Sequence, residues 1–186
     1  MNSDEATVAV IDALDVLHIP YMLVGSFSTN FYGIPRSTHD ADIVVQLQPG
    51  DVLALAKHLG PPFRLDPQMT FETVTATTRC ILHLDESPFS IELFLLSSDP
   101  HDRERFARRR RERIPECEVF VPSAEDVIVT KLRWSLATGR RKDIEDVENV
   151  IAVQGDRIDW DYVHSWCDRH GTRELLDQVR RSLQTN

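Results

Sequence analysis

Two aspartates and a Gly-Ser pair near the N-terminus are placed so that they could contribute to one binding or catalytic site. Gly25 and Ser26 follow the apolar sequence YMLV, and Asp40 and Asp42 run into the apolar sequence IVV. Because side chains alternate across a strand, Asp40 and Asp42 are expected to point to the same side. Carboxylates so close together repel each other unless a cation compensates them, and Mg²⁺ prefers carboxylate oxygens while keeping coordination positions for phosphates. The spacing therefore predicts a divalent-cation site.

The Gly-Ser pair has the properties of a phosphate-binding turn. Gly25 has no Cβ, so a phosphate can approach its backbone closely. Ser26 is predicted to be the N-cap of a helix over 27–33, where it would offer a hydroxyl and helix N-terminal N–H groups to an anion. Together with the aspartates, the pair predicts a site for a metal-bound triphosphate. Each motif alone is common, because a DxD at the start of a strand is often only a turn with a cap.

These residues need strands and helices to position them. YMLVG and ADIVVQL have the composition of strands on either side of the helix at 27–33. The pattern also predicts a helix over 5–18 that Pro20 stops, a helix from Asp51 to Leu59 after Pro49-Gly50, strands at 71–77, 79–84 and 89–96, a helix over the arginine-rich 101–112, and a strand in CEVFVP.

The pattern changes at Pro122. Ser123 is expected to cap a helix that ends at Gly139. Further helices are predicted at 141–153, 159–167 and 174–183. The fold class is therefore α/β (α+β): a mixed β-sheet with flanking helices at 1–121 and a C-terminal helical lobe at 122–186. No flexible linker joins them, which predicts one compact body with the lobe packed on the core.

Composition restricts the class of protein further. The chain has 186 residues, of which 41% are hydrophobic, enough for a sizeable core. No apolar run approaches the roughly 20 residues that span a bilayer, and the acidic N-terminal sequence lacks the basic region of a signal peptide. Three widely spaced cysteines form no CxxC pair, so neither a disulfide framework nor a thiolate zinc site is indicated. These features predict a cytoplasmic protein with reduced thiols and no membrane association.

Charge is distributed unevenly along the chain. The net charge is −9, which argues against a general nucleic-acid coat protein. Seven arginines and two glutamates nevertheless fall between Arg103 and Arg113. A basic patch on an acidic body could attract a polyanion at one place, although a solvated helix face has the same composition.

The GS and DxD motifs together resemble the signature of the nucleotidyltransferase superfamily related to DNA polymerase β. The segment YMLVGSFSTNFYGIPRSTHDADIVV is similar to the bacterial branch that includes the AbiEii/AbiGii-type toxins and the MenT-type nucleotidyltransferases. PSAEDVIVTKLRWSLATGRRKDIEDVENVI is similar to the later motifs of that branch, in which a helical lysine precedes a basic turn and a KDxxD segment. The two segments cover about one third of the chain.

The resemblance implies a nucleotidyltransferase-type sheet and a two-metal transfer of a nucleotidyl group. The family uses three carboxylates, which here would be Asp40, Asp42 and a residue of a later strand. That residue is Glu92 in FSIELFLL, where the family more often has aspartate. Glu92 would be the third ligand of Mg²⁺, or of Mn²⁺ as an alternative, or the base for the incoming hydroxyl. The residues alone leave open an edge strand with Glu92 in water, because a lone acid in so apolar a strand is costly to bury.

The resemblance also assigns residues to nucleotide binding. Lys131 would touch the phosphates of the NTP, with ATP as one candidate; the alternative is a lysine whose stem extends along apolar surface to water. Asp143 matches the last acidic position of the family, and Asp146 follows it at i+3 in the same predicted helix. Both could hold Lys131 or Arg140, or cap their helix. Arg36 would contact phosphate or form a salt bridge within its loop.

The predicted function is an Mg²⁺-dependent nucleotidyltransferase that moves NMP from an NTP to an acceptor hydroxyl. The resemblance implies an acceptor on RNA, with tRNA as one candidate, or on protein, and a toxin of a toxin–antitoxin system with a cognate antitoxin as partner. One alternative is an adenylyltransferase that modifies a small molecule such as an aminoglycoside. Another is a degenerate, non-catalytic binding module of the antitoxin kind.

Overall fold

The computed structural model describes residues 1–48, 50–114 and 117–185, so that Pro49, which the sequence analysis placed before the helix at 51–59, lies outside the described residues. The helices are α1 (Ser3–Val16), α2 (Gly25–Tyr32), α3 (Asp51–Leu59), α4 (Pro100–Ala107), α5 (Ala124–Thr138), α6 (Arg141–Gln154), α7 (Trp160–His170) and α8 (Arg173–Thr185), with a 3₁₀ turn at Gly155–Arg157. The strands are β1 (Tyr21–Val24), β2 (Asp40–Val45), β3 (Phe63–Leu65), β4 (Thr70–Glu72), β5 (Thr77–Leu84), β6 (Ser90–Leu95), β7 (Arg110–Arg113) and β8 (Glu118–Val121).

The main sheet is mixed, which confirms the predicted fold class. Its strand order is β1-β2-β6-β5-β3, and β4 also pairs with β5. The β2–β6 pair is parallel, and the other pairs are antiparallel. Strand β3 was not foreseen, and the predicted strand 71–77 is interrupted by a turn at 73–76 between β4 and β5, because this short polar segment carries no clear period of two.

The two faces of strand β2 differ, because one is fully buried and the other carries the aspartates. Ala41, Ile43 and Val45 are fully buried. On the opposite side, Val44 belongs to a core cluster with residues of β1 and α4, whereas Asp40 and Asp42 are only half-buried at the beginning of the strand. The alternation expected for a strand with two aspartates on one face is therefore present.

Glu92 lies in an interior strand, so the edge-strand alternative is wrong. Strand β6 pairs with β2 on one side and with β5 on the other. In the parallel pair, Glu92 is the direct neighbour of Asp42. Directly paired residues on neighbouring strands point to the same face of the sheet, so the three predicted carboxylates share one face.

The arginine-rich stretch is not one helix, which corrects the prediction for 101–112. Helix α4 ends at Ala107, and Arg110–Arg113 forms β7, which pairs with β8 in a two-stranded antiparallel sheet. The side chain of Arg109 explains the break, because its guanidinium lies over the rings of Phe106, at 4.2 Å, and Phe120, at 5.0 Å. Stacking on aromatic rings and strand pairing replace the helical conformation that composition favoured.

The described residues group into two compact units. The first comprises 1–27 and 37–121, and the second comprises 28–36 and 122–186. Residues 28–36, placed with 1–121 on sequence grounds, group with the second unit through hydrogen bonds such as Tyr32 Oη to the Pro122 carbonyl, at 2.8 Å. Ser123 caps α5, and Gly139 ends it at φ +70°, both as predicted. None of the helices in the described ranges is long and apolar enough to cross a membrane.

Candidate active site

The chain turns from β1 directly into α2 at Gly25. Its φ of +62° lies in the left-handed region, which glycine adopts without strain. Helix α2 begins at Gly25 itself, so Ser26 lies in its first turn and is not the N-cap that the sequence predicted. Ser26 is buried in this first turn, where the backbone N–H groups of a helix point toward its beginning.

Gly25 lies against the side chain of Asp42. A Cβ atom added to Gly25 would fall 2.8 Å from Cγ and 2.9 Å from Cβ of Asp42, and closer still to Oδ2. The register explains this proximity, because Val24, the residue before Gly25, pairs with Asp42 across the β1–β2 ladder. The Gly-Ser turn and the second aspartate of the DxD motif therefore form one local arrangement.

Asp40 is held at the entrance of β2 by a neighbouring hydroxyl. Thr38 Oγ1 donates to Asp40 Oδ1 at 2.8 Å and lies 3.1 Å from the Asp40 carbonyl oxygen. The sequence analysis passed over Thr38, although a threonine two residues before an aspartate at a strand start is a frequent turn element. Thr38 restricts the orientation of the first carboxylate.

Glu92 forms an ion pair with Arg79, a residue that the sequence analysis did not single out. Arg79 Nη1 donates to Glu92 Oε2 at 2.6 Å, and Arg79 Nε donates to Thr70 Oγ1 at 3.0 Å. The side chain of Glu92 is 18% exposed and that of Arg79 is 32% exposed. The cost of partly burying the acid is thus met by an ion pair on the sheet face.

The carboxylates fit a divalent cation only in part. Within 1–48, 50–114 and 117–185, no three His, Cys, Asp or Glu side chains are arranged to hold a metal ion. Asp40 and Asp42 nevertheless share one face beside a glycine without a side chain, and Mg²⁺ is commonly bound by one or two carboxylates together with substrate phosphates. The third predicted ligand, Glu92, is engaged with Arg79.

The second unit contains a buried cluster of charges around Lys131. Its Nζ lies 3.0 Å from Asp143 Oδ1 and 2.8 Å from Asp146 Oδ2. Both aspartates have side chains only 2% exposed, and Lys131 is 13% exposed. Of the alternatives for these aspartates, the one in which they hold Lys131 is present, with Arg140 Nε lying farther from Asp143 Oδ2, at 3.6 Å.

Arg36 completes this cluster through Asp146. Its Nε and Nη2 donate to Oδ1 and Oδ2 of Asp146 at 3.1 and 3.0 Å, a two-pronged contact that suits a guanidinium. Burial alone would raise the pKa of Asp146, but the hydrogen bonds from Arg36 and Lys131 outweigh it and hold the pKa below its usual range. Arg36 thus forms its salt bridge with α6 and not within its own loop as expected, while its contact with phosphate stays a prediction.

Asn30 positions Arg36, and the sequence analysis missed it. Asn30 Nδ2 donates to the Arg36 carbonyl at 2.7 Å, and the Arg36 N–H donates to Asn30 Oδ1 at 3.1 Å. The two bonds fix Arg36, which lies in the segment between α2 and β2, to the last turn of α2. An asparagine followed six residues later by an arginine is no recognised motif, so no signal in the sequence could have identified this pair.

Solved structures of similar fold are nucleotidyltransferases and antibiotic adenylyltransferases. The solution structure of the antibiotic-resistance factor ANT(2'')-Ia matches with a TM-score of 0.61 and 12% identity over 100% of this chain and 97% of that chain. An antigenic nucleotidyltransferase-like protein from Paracoccidioides brasiliensis matches with a TM-score of 0.55 and 20% identity over 93% and 90%. Lincomycin-bound lincosamide adenylyltransferase LnuA matches with a TM-score of 0.52 and 11% identity over 80% and 96%.

These likenesses establish the fold, and the family follows from the sequence. No curated protein matches the chain at a significant level. The AbiEii/MenT branch stays a prediction. Residues 3–184 match the family described as nucleotidyltransferase of unknown function (DUF6036), which spans nearly the whole chain. The protein therefore belongs to this nucleotidyltransferase family.

Proposed function

We propose that the protein transfers a nucleoside monophosphate from an NTP to an acceptor hydroxyl, in a reaction that depends on a divalent cation. The observation that carries this proposal is the close approach of Gly25 to Asp42. This contact places the backbone N–H groups at the start of α2 beside the carboxylates of β2. A metal-bound triphosphate needs N–H donors for its phosphates and carboxylates for its cation.

In this proposal, Asp40 and Asp42 hold Mg²⁺, or Mn²⁺ in its place. When bound, the cation supplies charge that stabilises the transferring phosphoryl group and its leaving pyrophosphate. Gly25 and the first N–H groups of α2 bind phosphate oxygens, because the N-terminus of a helix directs backbone N–H groups and a positive dipole end at an anion. Thr38 holds Asp40 in its orientation through the hydrogen bond described above.

The chemical step forms a bond between the acceptor oxygen and the α-phosphorus while the bond to pyrophosphate breaks. The proton of the acceptor hydroxyl is assigned to Glu92, which neighbours Asp42 across the parallel strand pair. Pyrophosphate leaves with the electron pair of the broken bond. The nucleotide-binding role that the resemblance implies for Lys131 and Asp143 remains a prediction about the second unit, as does the phosphate contact expected of Arg36.

We propose RNA as the leading acceptor because of the β7 surface, defined as Arg110, Arg111 and Arg113. All three residues are exposed on a short strand of an otherwise acidic chain. Arg111 has a surface ion pair with Glu118, at 2.8 Å, which is weak in water and exchangeable for a phosphate. Phosphate contacts of this kind supply most of the sequence-independent affinity for nucleic acid. A toxin role with a cognate antitoxin belongs to the same proposal.

A small-molecule acceptor is the second candidate. ANT(2'')-Ia, whose fold is similar, has been crystallised in complex with adenylyl-2''-tobramycin, and LnuA is a lincosamide adenylyltransferase. A net charge of −9 would favour a cationic antibiotic.

The decisive experiment is transfer of label from each α-³²P NTP with Mg²⁺. Parallel reactions contain total RNA, a protein extract, an aminoglycoside or a lincosamide. Label in RNA supports the leading acceptor, label in protein supports nucleotidyl transfer but contradicts RNA as its acceptor, and label in an antibiotic supports the second candidate. If every acceptor stays unlabelled and NTP still binds, the protein is a non-catalytic binding module. Asp42→Asn is the negative control for each reaction.

A further inference from the structure

The face of the main sheet that carries the acids also carries a counterion of its own. In the order β4-β5-β6-β2, the ladder pairs Thr70 with Arg79 and Glu92 with Asp42. Arg79 stands diagonally from Glu92 across β5 and β6, where Ile81 is the direct partner of Glu92. A row of side chains thus runs from a hydroxyl through a cation to two acids.

Arg79 is fixed in place by contacts on three sides. Thr70 Oγ1 accepts from Nε at 3.0 Å, Glu92 Oε2 accepts from Nη1 at 2.6 Å, and the guanidinium carbon lies 5.8 Å from the centre of the Phe94 ring. Because the hydroxyl of Thr70 and the ring of Phe94 already hold the planar guanidinium, Arg79 loses little further conformational freedom when it pairs with Glu92. The ion pair is therefore a built feature of this face.

The consequence for cation binding follows from charge. Asp42 and Glu92 are direct neighbours on parallel strands, and such like charges are compatible only when a positive charge compensates them. Arg79 supplies that charge to Glu92 without any metal. A second divalent cation at Glu92 would have to displace a guanidinium that is already hydrogen-bonded there.

We propose that Arg79 is a positioning residue that restricts the nucleotide-free protein to one divalent cation, at Asp40 and Asp42, by occupying the Glu92 carboxylate. The inference rests on the proposed function, since it assumes the aspartate site. It predicts that removal of Arg79 releases Glu92 for metal binding.

The test counts Mn²⁺ ions bound by the full chain without nucleotide, from the electron paramagnetic resonance signal of free Mn²⁺. Wild type is expected to bind one ion. Arg79→Gln is expected to bind a second ion or to bind the first about tenfold more tightly, because a positive charge next to the site is lost. If Arg79→Gln binds Mn²⁺ with wild-type number and affinity, the inference is overturned.

A double variant and a matched control make the result specific. Arg79→Gln/Glu92→Gln removes both partners, keeps the net charge of the group and should bind one ion within about threefold of wild-type affinity. A tenfold weaker affinity would show that Glu92 is already a ligand and would overturn the inference even if the single variant did not fold. Arg64→Gln removes an arginine of the same sheet whose ion pair with Asp85 is exposed, and it should change nothing.

A further variant separates this inference from the proposed function. Asp42→Asn should abolish Mn²⁺ binding. If Asp42→Asn binds Mn²⁺ as wild type does, the proposed aspartate site itself is wrong. If Asp42→Asn loses Mn²⁺ while Arg79→Gln behaves as wild type, only the role of Arg79 fails.

Discussion

Gly25 leaves space for the carboxylate of Asp42 that a residue with a side chain would fill. The Cβ of any other residue would stand 2.8 Å from Asp42 Cγ. The motif that looked like a flexible turn in the sequence is therefore a steric requirement of the DxD strand next to it.

Replacement of Gly25 by alanine tests this requirement. We expect Gly25→Ala to lower the free energy of unfolding by about 3 kcal/mol, because a strained φ adds to the overlap with Asp42. Gly139→Ala is the matched control, with a φ of +70° and no atom within 4 Å of its Cβ, and should cost about 1 kcal/mol. Urea unfolding followed by circular dichroism measures both. Equal losses in the two variants would contradict the steric explanation.

Asp42 should matter for activity more than for stability. We expect Asp42→Asn to reduce nucleotidyl transfer about a hundredfold or more, since the proposed cation loses a ligand. The free energy of unfolding should stay the same or rise, because a carboxylate next to Glu92 is removed. Initial rates with the labelled acceptor and urea unfolding provide the two measurements. Asp12→Asn, at an exposed position of α1, should change neither.

Asp146 should stabilise the second unit in a pH-dependent manner. Asp146→Asn leaves Lys131 and Arg36 without one buried partner, so we expect a loss of about 3 kcal/mol at pH 7. The pKa of Asp146 is lowered in the folded protein, so its contribution is present above the unfolded value of 3.8 and is lost as the pH falls through the lower folded value.

Unfolding of wild type and Asp146→Asn at a series of pH values checks this sign. The difference in stability should be constant above about pH 4.5 and should shrink below pH 3.8, where Asp146 of the unfolded chain becomes protonated before Asp146 of the folded protein does. Glu145→Gln, at a neighbouring exposed ion pair with Arg141, should cost less than about 0.5 kcal/mol. A difference that grows on acidification would refute the assignment.

Lys131 and Asp143 should be energetically coupled. We expect Lys131→Gln and Asp143→Asn each to be destabilising, and the double variant to be less destabilised than the sum by about 1–2 kcal/mol, since the two groups lie 3.0 Å apart. A double-mutant cycle in urea measures this energy. Lys142→Gln, an exposed position of the same helix as Asp143, should show no coupling. An additive cycle would mean that the cluster is not held by this pair.

The β7 surface should determine the salt dependence of RNA binding. We expect the triple change of Arg110, Arg111 and Arg113 to glutamine to weaken binding and to lower the slope of log affinity against log salt by about 2, as three phosphate contacts to a single strand imply. Fluorescence anisotropy with a labelled RNA at several salt concentrations measures the slope. The same change at exposed Arg140, Arg141 and Arg157 removes equal charge and should leave the slope intact.

The local features of the fold could be predicted from the sequence. The Ser123 cap and the Gly139 stop define α5, because both act through the backbone beside them. The alternation of Asp40 and Asp42 with buried residues was likewise readable from β2 alone. The helix predicted over the arginine-rich stretch 101–112 was wrong beyond Ala107, because Arg109 stacks on Phe120, which belongs to β8.

Only part of the candidate site could be predicted from the sequence, because its contacts depend on which strands pair. The residue types of Gly25 and Asp42 were evident, but their contact depends on the β1–β2 register. The ion pair of Arg79 with Glu92 depends on β5 lying next to β6, and no short-range pattern encodes that choice. Side chains that meet through strand pairing carry no spacing signal in a single sequence.

The parallel pairing of β2 with β6 also sets an order of events during synthesis. Asp42 and Glu92 are separated by the whole of α3, β3, β4 and β5, so they meet only after a long stretch of chain has been made and folded back. Arg79 leaves the ribosome before Glu92 does, because β5 precedes β6. The guanidinium that pairs with Glu92 is therefore already part of the nascent chain when this second acid is made.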